Sequence, residues 1–134
     1  MSVFSERSKK ALESCDHHLQ ILFNEVIKFR DCTVIEGHRG KERQDKLCRS
    51  GQSKLMFPNS KHNALPSCAV DVAPYRAGKG IVFDEDTCRA FGGFVLGIAA
   101  AMHMRVRWGG DWDGDGDPHD QSFNDLVHFE IIPR

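Results

Sequence analysis

Two helical stripes set the terms on which this chain can fold. Leu12, Leu19, Leu22, Phe23, Val26 and Ile27 recur at helical spacing behind Ser5, a residue suited to capping a helix N-terminus, so one helix is expected from Ser5 to about Arg30. Phe91, Phe94, Val95, Ile98 and Met102 repeat the pattern within a second helix expected over 87–104. Its glycines at 92, 93 and 97 suggest close packing against another backbone. Each stripe needs an apolar surface to cover it, and the remaining apolar residues fall in short β-prone segments. These are 31–36 (DCTVIE), 68–73 (CAVDVA) ending at Pro74, 105–108, and 126–132 (LVHFEII) ended by Pro133. Residues 40–50 are strongly charged and read as a short exposed helix. Residues 51–66 and 109–123 read as loops, the second rich in Asp and Gly. Two amphipathic helices against a few short strands indicate a small α+β domain occupying the whole of 1–134.

Charge narrows the function classes. Lys plus Arg is 18 and Asp plus Glu is 19, which argues against a general nucleic-acid binder. The halves differ: residues 1–62 carry 12 basic and 8 acidic side chains, a balance of +4, and residues 63–134 carry 6 and 11, a balance of −5. The acidic excess is concentrated between Asp111 and Asp120. Five cysteines (15, 32, 48, 68 and 88) include no CxxC pair, so reduced thiols are expected rather than a disulfide framework. No dyad partner is evident for Cys68, which makes cysteine-protease chemistry a poor fit. The first twenty residues lack an apolar signal core, and no run approaches a membrane span, so synthesis in a cytoplasm without a signal peptide or membrane anchor is expected.

Three places carry metal-capable side chains on or beside expected strands: SKH at 60–62, VDVAP at 70–74 and NDLVHFE at 124–130. Histidine nitrogen and carboxylate oxygen are ordinary zinc donors, and three protein ligands with one open position make a catalytic site. His128 and Glu130 share one face of the last strand, because side chains alternate along a strand. Asp125 lies three residues ahead of His128. Taken singly, each of these residues also reads as a surface or core residue, and spacing alone does not decide for a zinc site. His17, His18 and His103 are read as non-catalytic, and His119 is ambiguous. Trp108 and Trp112 suit either a cleft wall or the core.

The order and setting of these segments resemble the D-alanyl-D-alanine carboxypeptidase and L-alanyl-D-glutamate endopeptidase family, the LAS or VanY-like metallopeptidases, and within it the short phage endolysins. The resemblance runs from GHRGKERQ at 37–44 through SKHN and AVDVAPY to RWGGDWDGDGD at 107–117 and NDLVHFE. It implies a hedgehog/D,D-peptidase-like fold whose short antiparallel sheet carries zinc on His62, Asp71 and His128. It further implies Asp125 as catalytic acid/base, and Arg39, Gln44 and Ser60 as residues that hold or polarise the substrate. Ser60 also reads as a plain turn residue. Glu130 either orients a zinc-bound histidine or faces outward. One departure stands out: eight residues separate His62 from Asp71, where some members have six, so a longer loop between ligands is expected.

The implied activity is hydrolysis of the L-alanyl-D-glutamate bond in the peptidoglycan stem peptide by zinc-activated water. The enzyme would be monomeric, made in a bacterial host and acting on the wall after release. The alternatives are a D,D-carboxypeptidase on D-Ala-D-Ala termini, or a non-catalytic metal-binding module on the same fold. Asp111, Asp113, Asp115 and Asp117 follow the first half of a calcium-binding DxDxDG loop, but the twelfth position is Ser122 rather than Glu. They are candidate calcium ligands, with a solvated loop as the alternative.

Overall fold

A computed structural model of the chain describes residues 2–117 and 124–132. His119, Asp120 and Ser122 of the acidic loop, and the closing Pro133, lie outside the described residues.

The expected first helix is two helices. Ser5 does cap the start, its hydroxyl accepting from the Ser8 N–H at 3.2 Å, and α1 spans Glu6–Glu13. The helix then stops at Ser14, whose hydroxyl donates back to the Ala11 carbonyl at 2.6 Å. Asp16 caps α2 (His17–Val26) by accepting from the His18 N–H at 2.8 Å. Serine and aspartate compete with the helix for backbone groups, which favours a break here. The freed backbone is used elsewhere: Asp16 N–H donates to Ser67 O, and Ser67 N–H to Ser14 O, both at 2.8 Å.

Beyond the helices follow β1 (Cys32–Glu36), α3 (Lys41–Arg49), a 3-10 turn (Lys61–Asn63), β2 (Ala69–Arg76), β3 (Gly80–Ile81), α4 (Glu85–Ala101), β4 (Val106–Gly109) and β5 (Asp125–Ile131). The strands form an antiparallel sheet in the order β1-β2-β5-β4, with β3 pairing the far end of β2. The architecture is α+β. Strand β2 does not end at Pro74 but runs on to Arg76, where Tyr75 and Arg76 pair with Ile81 and Gly80. The Pro74 carbonyl accepts from the Val82 N–H at 2.8 Å, on the edge where the partner of β2 changes from β5 to β3, so the missing proline N–H costs little there.

One hydrophobic cluster joins Leu19, Leu22, Phe23 and Val26 of α2 and Phe91, Val95 and Ala99 of α4 to Val70 and Val72 of β2, Trp108 of β4 and Phe129 of β5. Phe129 is its hub, with Phe23 edge-on at 5.3 Å and Trp108 stacked at 6.5 Å between ring centres. Of the three helix glycines, only Gly92 is needed for close approach, and to a ring rather than a backbone: a Cβ there would lie 2.2 Å from the Trp108 indole. Gly93 and Gly97 have nothing within 4 Å of such a Cβ. The core settles which way β2 and β5 face. With Val70, Val72 and Phe129 turned to the helices, alternation turns Asp71, His128 and Glu130 to the opposite side.

Candidate metal centre and active site

Asp71 and His128 are direct cross-strand partners in the β2–β5 ladder. Asp71 Oδ1 lies 3.3 Å from His128 Nδ1 and 3.2 Å from His62 Nε2. One donor atom from each of the three residues falls within a 4.8 Å span. The longer segment between His62 and Asp71 therefore still brings the three candidate donors together.

The other nitrogen of each ring is held from outside. His62 Nδ1 is 2.8 Å from the Gly37 carbonyl, which can only accept, so this nitrogen carries the hydrogen and Nε2 offers its lone pair. His128 Nε2 is 2.8 Å from Glu130 Oε1, which leaves Nδ1 to offer its lone pair. Partners of this kind are what orient histidine ligands in metal sites. The Gly37 carbonyl can reach His62 because β1 leaves the sheet tight against the α1–α2 break. A Cβ at Gly37 would lie 2.2 Å from Ala11 O and 2.4 Å from Ser14 Oγ. His62 itself rides on the 3-10 turn. Ser60 Oγ accepts from the His62 N–H, and the Ser60 N–H donates to Asn63 Oδ1, a reciprocal cap. Two buried histidine nitrogens and a half-buried carboxylate oxygen, pre-aimed, fit a divalent ion such as zinc.

Burial works against the charge on Asp71; without a metal ion the facing His128 and His62 nitrogens can meet it only as hydrogen-bond donors, and that pairing holds this carboxyl well below the usual range. Burial likewise opposes protonation of His128, yet hydrogen bonds to Asp71 and Glu130 lift it to about 9. Glu130, also buried, is pulled down to about 2 by His128 and Arg107, whose guanidinium is 2.7 Å away. Asp125 moves the other way: burial, then the nearby Asp71 charge, raises its carboxyl, partly offset by His128, His62 and Arg39. A carboxyl raised by its surroundings suits proton transfer. It opens β5 opposite Gly109, where a Cβ would lie 2.1 Å from Asp125 O.

These groups share a cleft of about 500 Å³, lined also by Arg39, Arg43, Leu55, Ser60, Lys61, Arg107 and Trp112. Arg39 is clamped: Nε donates to Glu36 at 2.6 Å, Nη1 to Gln44 Oε1 at 2.9 Å, and Nη2 sits 3.7 Å from Asp71 Oδ2. Gln44 is fully buried and does not line the cleft. Its carbonyl serves Arg39 and Asn63, and its amide donates to Ser53 and Leu55 O, so every polar group of the side chain is engaged within the protein. The charged segment 40–50 reads as a short exposed helix, yet α3 buries Gln44 and Asp45, the latter accepting from the Phe57 N–H at 2.9 Å.

The acidic loop is built differently. Asp111 is buried and accepts from the Gly116 N–H at 2.9 Å through Oδ2. Its Oδ1 has no hydrogen-bond partner among the described residues. Asp113 Oδ1 accepts from the Asp115 N–H at 3.3 Å, and Asp115 Oδ1 from the Asp117 N–H at 2.8 Å. Carboxylate oxygens of Asp111, Asp113 and Asp115 come within 4.8 Å of one another; Asp117 is not in that set. Burial first, and then the neighbouring carboxylates, push Asp111 up against the pull of the Gly116 N–H. Trp112 carries the loop to the cleft, its ring 5.4 Å from that of His128.

The sequence reading overlooked Gly37, Asn63, Glu36 and Arg107. Asn63 carried a usable signal, since Ser60 and Asn63 have the spacing of a reciprocal cap. The other three depend on chain segments meeting in space. Cys68 is half-buried, and all five cysteines are free. His103 follows α4 at φ 60°, in a second hollow away from the metal cluster.

Comparison with known proteins identifies the family. The chain is 28% identical over 137 residues to the L-alanyl-D-glutamate peptidase of Escherichia phage T5, covering 96% of this chain and 97% of that protein. Its fold matches the crystal structure of the Serratia marcescens L-Ala D-Glu endopeptidase ChiX with a TM-score of 0.76 at 25% identity, over 97% of this chain and 90% of the other. The family model for phage L-alanyl-D-glutamate peptidases matches residues 1–132, and the chain belongs to that family.

Proposed function

We propose that this protein hydrolyses the L-alanyl-D-glutamate bond of peptidoglycan stem peptides, with zinc held by His62, Asp71 and His128. The observation that carries the reading is the pair of outer partners, the Gly37 carbonyl and Glu130, which aim one lone pair from each ring at the Asp71 carboxylate. When bound, zinc supplies Lewis acidity toward a water and toward the scissile carbonyl. Asp125 takes a proton from the attacking water and returns it to the leaving amine of the D-glutamyl residue. Arg39, held rigid by Glu36 and Gln44, faces the carbonyl oxygen as negative charge develops on it. Gln44 acts through Arg39, and Ser60 acts through the turn that presents His62.

The whole chain is read as one peptidase domain, working as a monomer. Among the described residues no helix is long and apolar enough to cross a membrane. The enzyme is read as a lysis protein made in the host cytoplasm and reaching the wall on release, as its likeness to a phage protein suggests. Digestion of purified cell wall tests the activity: new D-glutamate amino termini are expected, and release of free D-alanine alone would favour the D,D-carboxypeptidase reading instead. Calcium is a second, separate reading for Asp111, Asp113 and Asp115, supported by the unpartnered, buried Asp111 Oδ1. Calorimetric titration with calcium that yields no heat would remove it.

A further inference from the structure

The cleft cations are mostly committed. Glu36 takes both Arg39, at 2.6 Å, and Arg43, at 2.5 Å. Arg107 is bound to Glu130 at 2.7 Å. Lys61 differs. It lines the same cleft, is exposed, and its ammonium has no hydrogen bond or ion pair among the described residues. Its backbone is nonetheless fixed. Lys61 opens the 3-10 turn between the capping Ser60 and the ligand His62, and its carbonyl accepts from the Cys68 N–H at 3.0 Å. The root of the side chain is therefore anchored one residue from the metal cluster, while its four-carbon stem is free to range over the cleft mouth.

The substrate supplies the missing charge. A glutamyl residue has two carboxyl groups beside its amine, and chain continuation uses one of them. An L-alanyl-D-glutamyl bond therefore has a carboxylate on the residue that leaves as the amine. An ammonium that is unpaired among the described residues, on a backbone anchored one residue from His62, is the group to receive it.

We propose that Lys61 binds the free carboxylate of the D-glutamyl residue and so determines specificity for stems in which that carboxylate is not amidated. This rests on the hydrolytic reading above. The pairing is electrostatic, so it weakens with ionic strength.

The test uses the full-length, zinc-loaded protein and two stem peptides that differ only in a D-glutamyl carboxylate or its near-isosteric carboxamide. The quantity read is the ratio of kcat/KM for the two. In the wild type the carboxylate peptide is expected to be favoured by roughly tenfold, a typical effect of one charge-assisted hydrogen bond. Lys61→Met is expected to bring the ratio to about one, and Lys61→Arg to retain most of it. Because each ratio is taken within one variant, a partly misfolded preparation does not distort it. A wild type that does not discriminate, or a Lys61→Met variant that keeps the wild-type ratio, overturns the role of Lys61 alone. A wild type that cuts neither peptide at this bond overturns the hydrolytic reading and this inference with it.

Discussion

Two clusters of cation-seeking side chains lie side by side in this protein. His62, Asp71 and His128 come from a capped turn and two paired strands, and each ring is oriented by a group outside the cluster. Asp111, Asp113 and Asp115 come from five consecutive residues, and the hydrogen bonds that shape them are given by the backbone of their own loop. The difference is one of preorganisation. In the first cluster the sheet and core bear the cost of bringing the donors together, so binding a cation requires little further ordering. In the second, consecutive loop residues bring like charges close, and burial first, then the neighbouring carboxylates, raises the Asp111 carboxyl.

The largest expected effect separates the two clusters outright. His128→Ala should lose stoichiometric zinc and wall-degrading activity together, whereas Asp111→Ala should keep its zinc; metal analysis of both purified variants checks this. If His128→Ala retained a full zinc complement, the contrast would collapse. Asp125→Ala separates holding a metal from using it. It should lower kcat by about 10²- to 10⁴-fold at unchanged zinc content. A smaller step comes from the outer partner: Glu130→Gln should weaken zinc binding by roughly 10- to 100-fold in a competition assay with a chelator, because it loosens the hold on the His128 ring.

The smallest effect is on pH dependence. In the zinc-free protein Glu130 is depressed from 4.5 to about 2, so its stabilising contribution is complete above 4.5 and lost as pH falls toward 2. His128 is raised from 6.5 to about 9, so its contribution is complete below 6.5 and lost as pH rises through 9. Thermal melts of the chelated protein should therefore peak between these limits, from the contributions of these two groups. Added zinc should flatten the alkaline decline, because coordination removes the His128 proton. An alkaline decline equally steep with zinc would mean that His128 is not a ligand.

Much of the candidate site was legible before any fold was known. The strand alternation in LVHFEII placed His128 and Glu130 on one face, and the structure adds that they touch. The VDVAP segment put Asp71 on a strand despite the longer run after His62. Gln44 was misjudged in its surroundings: a charged helix suggested exposure, while the folded chain buries this amide behind Arg39. The long first helix was also misjudged, because apolar periodicity continues across Ser14 to Asp16 while the backbone does not.

Local sequence by itself determined most of the helices, the longer strands and the types of donor at the site, because periodicity, capping and side-chain chemistry act over a few residues. Only the tertiary structure decided which lone pair each histidine presents, why Gly37 must lack a side chain, and that Lys61 alone of the cleft cations has no ion pair or hydrogen bond among the described residues. Those outcomes depend on register and close approach between segments far apart in the chain, and no local pattern encodes where a distant carbonyl or carboxylate will lie.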